Sequence, residues 1–313
     1  MNLYQLKALD ALATYGTCLQ AARALGVTQP AVSTQLRKLQ DTYGVKLFNR
    51  WGKQVEFSPL GKTLVLKART ILRLLDDFEA TVDSAGRLES GQLAIGLSCH
   101  YFVMDMLAEF MKRHPGVTLR AQIGDSLTLI DEVLACRLDL AEITAAEPVK
   151  QLFNLAYSNQ QIVLFVAGHH PWALLPELDA GQLHDQAMVA RHSTSMTRRI
   201  FEDRLSKLEV VPRVVMELDS WETVKEAVAA GIGFGIALED EFSSDERFRA
   251  VPLQGIDLSV RQYFVCLPEF KQLRTVQTFL DLVREFRVRR VESQEKCLTK
   301  TFPSTLSLQG ERT

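Results

Sequence analysis

Residues 17–62 limit what this chain can become more than any other stretch: TCLQAARALGVTQPAVSTQLRKLQDTYGVKLFNRWGKQVEFSPLGK. Ala21, Ala22, Ala24 and Leu25 make a short helix of small residues that a second helix can approach closely. Gly26 ends it, because glycine accepts the left-handed backbone of a helix terminus. Val27 packs inward, Thr28 is a good N-cap, and Pro30 sits in the first turn, where its missing N–H costs little. The new helix buries Val32, Leu36 and Leu39. Gln29, Ser33, Thr34, Arg37 and Lys38 then face outward, and such groups hydrogen-bond base edges and phosphates. A hairpin-like run follows, with Arg50 and Lys53 at its edge as backbone contacts. Polar residues alone would mark only a solvated helix face. The whole order of cap, proline, apolar stripe and wing is what places one helix in a DNA major groove.

Charge agrees. Residues 1–65 hold eight Lys or Arg against three acids, a balance of +5, while the whole chain carries −2. The remainder is therefore at −7, and the electrostatic footprint for a polyanion is confined to the head.

The run AARALGVTQPAVSTQLRKL, followed by LFNR and a glycine after a short wing, closely resembles the N-terminal domain of LysR-type transcriptional regulators. The sequence departs from the family pattern at Lys53, usually Arg, and at Ser58-Pro59-Leu60-Gly61, usually Thr-x-Ala-Gly. The resemblance implies a bacterial protein that binds DNA as a homodimer or homotetramer and is modulated by a small co-inducer. It also implies a periplasmic-binding-protein-like layout for the remainder, extending to about residue 290.

At 313 residues two or three domains are expected. Apolar content of 47% fits an ordinary globular chain. The N-terminus has charges inside its apolar pattern and does not read as a signal peptide. No uncharged run approaches the roughly 20 residues of a membrane helix. Five cysteines, Cys18, Cys99, Cys136, Cys266 and Cys297, show no paired spacing, and an odd count without a signal sequence argues for reduced thiols in the cytoplasm; the resemblance implies a nucleoid-associated location there.

The expected organisation is α/β with an N-terminal all-α winged helix-turn-helix over 1–59, a long linker helix over 60–88, and a two-lobed effector domain over 89–290. Lobe I covers about 89–162 and 267–290, and lobe II about 163–266. Residues 291–313 lack apolar periodicity and are expected as a loose tail. In the linker, Leu64, Ala68, Ile71, Leu75, Phe78, Val82 and Ala85 alternate four and three apart, an a/d seam that seeks the same helix of a second copy. From Gln92, strands QLAIGLS, VTLRAQIG and LDLAEIT alternate with helices at 102–113 and 126–137, a βαβ series and hence a parallel sheet. QQIVLFVAG carries the chain into the second lobe, and LSVRQYFVCLP brings it back, leaving a cleft between.

Cleft chemistry belongs at strand ends and helix N-termini, whose free N–H groups suit anions. Ser98, Cys99, His100 and Tyr101 follow the first strand, and Thr144 follows the third. Ser193, Thr194, Ser195, Thr197 and Arg198 open a helix in the second lobe. Single hydroxyls usually only cap helices; four within five residues beside two arginines point to a ligand. In the LysR-type family the corresponding loops line the effector pocket. The expected effector is a small oxyanion, carboxylate, sulfate-like or phosphonate-like, with no other cofactor. Asp125 and Glu142 lie near other strand ends and suit an amine on the same ligand.

Other chemistry lacks support. Gly231-Ile-Gly-Phe-Gly235 has its helix before and its strand after, the inverse of a dinucleotide fingerprint, and reads as a tight turn. His169-His170 and Cys99-His100 do not put two ligands on one face, so no metal site is expected. No Gly-x-Ser-x-Gly occurs. Two rivals stand beside the regulator: the same protein switched by oxidation of Cys99, and an enzyme using the cleft. The second would need an acid/base pair, and the candidate loops offer hydroxyls and arginine instead.

Overall fold

The computed structural model describes residues 1–51, 54–83, 90–99, 103–241 and 245–301. The head begins with α1 (Leu3–Tyr15), α2 (Cys18–Ala24) and α3 (Gln29–Tyr43). Asn2 opens α1 with a reciprocal capping box: its Oδ1 accepts from the Gln5 N–H, and Gln5 Oε1 accepts from the Asn2 N–H. Thr17 caps α2 by accepting from the Gln20 N–H at 3.2 Å. Gly26 adopts φ 66° in the turn before α3. Thr28 holds the N-cap backbone position of α3, yet its side chain makes no capping bond. Val32, Leu36 and Leu39 are buried as expected, in one cluster with Leu9, Leu12, Ala21, Ala22 and Leu47.

The wing is an antiparallel hairpin of β1 (Phe48–Trp51) and β2 (Gln54–Phe57), with Phe48 opposite Phe57. Ser58 ties it to α4 (Pro59–Asp83): its Oγ donates to the Lys46 carbonyl and accepts from the Gly61 N–H. Gly61 is needed there because a Cβ would lie 1.9 Å from the Leu47 carbonyl oxygen.

The expected seam on α4 divides in two. Ala68 is buried in the head's own core, with Leu64 partly buried against it, so neither is available to a partner. Ile71, Phe78 and Val82 stand outward at 44%, 65% and 63% exposure, with Leu74 beside them and Leu75 half-buried. Ala85 lies outside the described residues. The seam shifts because the first two turns of α4 serve as the fourth wall of the head.

The effector domain is built on one seven-stranded mixed sheet and two separate two-stranded parallel pairs, the first of strands seven and twelve and the second of strands eight and nine. Its strands are β3 (Gly91–Leu97), β4 (Val117–Ile123), β5 (Leu140–Ala145) and β6 (Phe153–Ala167). After the short β7 (Leu178–Asp179) come β8 (Ala187–Arg191), β9 (Arg213–Leu218) and β10 (Gly235–Leu238). Last are β11 (Phe248–Val251), the short β12 (Leu253–Gln254) and β13 (Ser259–Cys266). The strand order is β10-β6-β13-β5-β3-β4, with β11 also on β6. β3 runs parallel to β4 and β5, as the βαβ series predicts, and β13 returns antiparallel between β5 and β6.

Strand β6 is the spine. Its first half pairs with β13 and its second with β10 and β11, so one continuous strand crosses from lobe to lobe. Helices α5 (Met104–Arg113), α6 (Ser126–Leu134) and α9 (Arg274–Thr301) cover lobe I. Helices α7 (Met196–Ser206) and α8 (Trp221–Ala229) cover lobe II. Gly231 has φ 77°, and a Cβ at Gly233 would meet the Ala187 carbonyl at 2.4 Å, so the glycine run is a packing turn.

Part of the segment expected as a loose tail is helical in its backbone. Residues 291–301 continue α9 as helical backbone, since the chain there carries the helix formers Glu292, Gln294, Glu295, Lys296, Leu298 and Lys300 and meets no proline until Pro303. Residues 302–313 lie outside the described residues. No helix among the described residues is long and apolar enough to cross a membrane.

Candidate functional site

On the head, Gln29, Thr34, Arg37 and Lys38 are exposed along α3, and Ser33 is half-buried. The helix presents them because its other face carries the core stripe. Arg37 takes part in no ion pair among the described residues, leaving its guanidinium available to a base edge or a phosphate. Arg50 lies on the wing strand β1, with its side chain outside the described set, and Lys53 lies outside the described residues.

A joint that sequence reasoning missed connects head to effector domain. The Arg69 guanidinium on α4 donates to Asp10 Oδ1 at 2.6 Å and to Thr14 Oγ1 at 3.1 Å, both on α1, and to the Ala135 carbonyl of lobe I at 2.8 Å. One turn on, Arg73 makes a fork to Asp139, at 2.8 and 2.6 Å. Asp139 also accepts from the Ala94 N–H. Burial pushes the Asp139 carboxyl above its ordinary range, with the Arg73 guanidinium pulling the other way. Basic residues on a helix read as a solvated face; only the fold shows that two of them are clamps.

The cleft is organised around a residue of secondary rank in the sequence reading. Glu142, on β5, is fully buried. Its Oε2 accepts from the Ser98 N–H at 2.9 Å, the Ser98 hydroxyl at 3.1 Å and the Cys99 N–H at 2.8 Å. Its Oε1 accepts from the Tyr157 hydroxyl at 3.2 Å. Burial pushes this carboxyl up to about 7, although all these donors favour the charged form. The amides expected to hold an effector anion thus hold the chain's own carboxylate.

Two contacts close the lobes on each other. The Cys99 thiol, 3% exposed, donates to Glu241 Oε1 of lobe II at 3.3 Å. Asp125, the N-cap residue of α6, accepts from Arg191 at 2.7 Å and from the Thr194 hydroxyl, both of lobe II. Asp125 is therefore an interlobe latch and not an amine receptor standing free.

The other expected residues divide. Thr144 is buried, and its N–H donates to Ser126 Oγ at 3.1 Å. Ser195 is buried at the start of α7, Thr197 is half-buried and Ser193 is exposed. Arg198 does not reach the cleft. Its Nε donates to Glu202 at 2.7 Å, and its Nη1 to Glu217 and to the Arg191 carbonyl, each at 2.6 Å. The i,i+4 acid on its own helix and the acid on the neighbouring β9 hold it inside lobe II. His100 and Tyr101 lie outside the described residues.

Sequence reading also missed Gln262. It is fully buried on β13, opposite Thr144 and two places along the register from the pair of Phe264 with Glu142. Among the described residues neither its Nε2 nor its Oε1 has a hydrogen-bond partner. Close by, Gln160 is occupied, donating to Asp240 and Ser158 at 2.7 Å each. An acid or amide inside an otherwise apolar strand was the available signal, since such groups are buried only with partners or with a task. Among the described residues no cluster of His, Cys, Asp and Glu is placed to hold a metal ion.

A winged helix-turn-helix head joined to two α/β lobes that close on a polar cleft defines the class of DNA-binding regulators with a built-in ligand domain. Residues 3–62 match the model for bacterial regulatory helix-turn-helix proteins of the lysR family, and residues 86–287 match the LysR substrate binding domain. The chain belongs to the LysR family. It is similar to the HTH-type transcriptional activator CmpR of Synechocystis sp., 27% identical over 290 residues that cover 90% of this chain and 94% of the relative. Among solved structures it resembles a full-length OxyR variant from Pseudomonas aeruginosa, with a TM-score of 0.72 at 20% identity over 91% of this chain and 95% of that one. It also resembles the CcmR regulatory domain of Synechocystis, solved in complex with 2-PG, with a TM-score of 0.58 at 23% identity over 63% of this chain and 98% of that one. The relatives are named as transcriptional regulators.

Proposed function

We propose that this chain is a sequence-specific DNA-binding transcriptional regulator of the bacterial cytoplasm and nucleoid, controlled by a small anionic metabolite bound between its lobes. The outward face of α3, with Gln29, Thr34, Arg37 and Lys38 exposed above a fully buried stripe, carries the reading. Self-association through the outward half of α4 supplies the second head, giving a homodimer or a homotetramer. The exposed row of Ile71, Phe78 and Val82 supports that role. For the effector, the N-terminus of α7 at Ser195 and the hydroxyls around it support an oxyanion, and CcmR bound to 2-PG is consistent with one. Arg198 is withdrawn from that role.

The rivals have less support. Cys99 is buried and donates to a carboxylate, an environment that opposes a thiolate. Carboxylates do occur in the cleft, Asp240 and Glu241 beside the Glu142 that the sequence places there, but Glu142, Asp240 and Glu241 are each bonded to groups of the chain itself.

Operator fragments selected from random DNA by the purified chain test this function directly. Against the selected site, Arg37→Ala should weaken binding while the head stays folded. If Arg37 reads a base, discrimination falls by about 1–3 kcal/mol. If it holds a phosphate, all sequences weaken alike and the salt slope flattens by about one. Unchanged binding by the folded variant would remove α3 from the reading role.

A further inference from the structure

The position that the sequence marks for an oxyanion is already filled. Three donors converge on Glu142 Oε2, namely the Ser98 N–H, the Ser98 hydroxyl and the Cys99 N–H, all within 3.1 Å. On the neighbouring strand β13 the Gln262 amide is fully buried, with both polar atoms unpartnered among the described residues. Native interiors rarely leave such groups unsatisfied, and each exception calls for an occupant. By register Gln262 and Glu142 share one face of the sheet, so Gln262 Nε2 is a donor without a partner among the described residues on the face that carries the saturated anion seat.

We propose that Glu142 is an internal competitor for the effector's anionic group, so that an oxyanion takes the Ser98–Cys99 donors only as the Glu142 carboxylate takes up one proton from solvent. This rests on the reading that the effector is an oxyanion. The physical reason is charge. Two anions a few ångströms apart in a water-poor cleft cannot both stay ionised at modest cost, and the weaker acid accepts a proton. Protonated, Glu142 changes from acceptor to donor and releases the amides. Among the described residues no cation is paired with Glu142 to offset the repulsion. The groups facing Glu142 are Ser98 and Cys99 from the end of β3, Tyr157 from β6 and Gln262 and Phe264 from β13, with Glu241 behind the Cys99 thiol. Arg191 is paired through Nη2 with Asp125, its Nε buried without a partner among the described residues, and Arg198 is held by Glu202 and Glu217. A carboxyl raised to about 7 is poised to accept the proton near neutrality.

Sulfate is the suitable probe, because it keeps its charge across the working range. Its binding to the full chain is measured by calorimetry from pH 5.5 to 8.5, in pairs of buffers with different ionisation enthalpies. The expected result is an affinity that is flat below about pH 6 and falls about tenfold per unit above 7, with close to one proton taken up on the alkaline limb. Glu142→Gln, checked for folding by its melting transition, should bind sulfate with a flat profile and more tightly than the parent at pH 8. Gln262→Leu should weaken binding about tenfold and leave the pH profile in place, separating this donor from the titrating group. Sulfate binding that is pH-flat and proton-free in the parent would overturn the competitor and leave the oxyanion reading standing. Absence of binding to both the parent at pH 5.5 and the folded Glu142→Gln would overturn the oxyanion reading, and the competitor with it.

Discussion

Single residues set hard limits at two places. At Gly61 the limit is space: the first turn of α4 passes so near the wing that a Cβ would sit 1.9 Å from the Leu47 carbonyl. Gly61→Ala must push the helix off the head, and urea unfolding should record a loss of about 1–3 kcal/mol. A neutral result would mean the wing moves freely. At Glu142 the limit is electrostatic. Its carboxyl stands at about 7 in the folded chain against an ordinary 4.5, so the native state binds the extra proton between those values. Stability from this group is fully present below about pH 4.5 and is lost as pH rises through 7. The full shift corresponds to roughly 3 kcal/mol as an upper bound. Relative to the parent, Glu142→Gln should therefore gain stability between pH 5 and pH 8, and a pH-independent difference in urea midpoints would contradict the raised value. Neither limit could be read from composition. Gly61 is one glycine in a turn-like run, and Glu142 is one acid in LDLAEIT until the donors of Ser98, Cys99 and Tyr157 are brought to it.

Among elements, α3 was almost wholly legible and α4 only half so. The α3 stripe of Val32, Leu36 and Leu39 faces a core made within the same sixty residues, so local periodicity and tertiary burial agree. In α4 the same periodicity serves two surfaces. Ala68 belongs to the head, whereas Ile71, Phe78 and Val82 are open, and a heptad pattern cannot tell one from the other. The open half is the one that should bind a second copy. Ile71→Asp would leave an unpaired carboxylate in an apolar contact, and sedimentation should show a monomer that no longer holds operator DNA, since two half-sites need two heads. A dimer that survives the change would move the interface elsewhere on the molecule. The clamps of α4 were invisible for a different reason: Arg69 and Asp10 lie 59 residues apart, and Arg73 and Asp139 lie 66 apart. Arg198 failed the opposite way, because a motif beside the cleft does not show that Glu202 and Glu217 draw its guanidinium aside.

On the scale of the whole molecule, Arg69 touches all three parts at once: α1 of the head, α4 itself and lobe I at Ala135. A change in lobe I therefore has a short mechanical route to the reading head. Arg69→Met keeps much of the apolar stem and removes the forked donor. Operator binding without effector should persist, while the effector's influence on it should shrink several-fold, as gel-shift titrations with and without the ligand would measure. An undiminished response would place the coupling elsewhere.

The shared strand has a consequence for how such a chain can be cut. Lobe II leaves lobe I along β6 and re-enters along β13, and Gln161 lies directly across the ladder from Ser259. Everything between them is an insertion whose two ends already touch. Residues 90–161 joined to 259–287 through an Asn-Gly turn should close as an ordinary hairpin and fold as a single-lobed miniature. That miniature would keep Ser98, Cys99, Glu142, Tyr157 and Gln262 while losing Glu241 and Arg191. Dispersed amide resonances would report the fold. On the proposed reading the cleft is in that sense modular, lobe I carrying the Ser98–Cys99 donors and lobe II adding the hydroxyls at the start of α7.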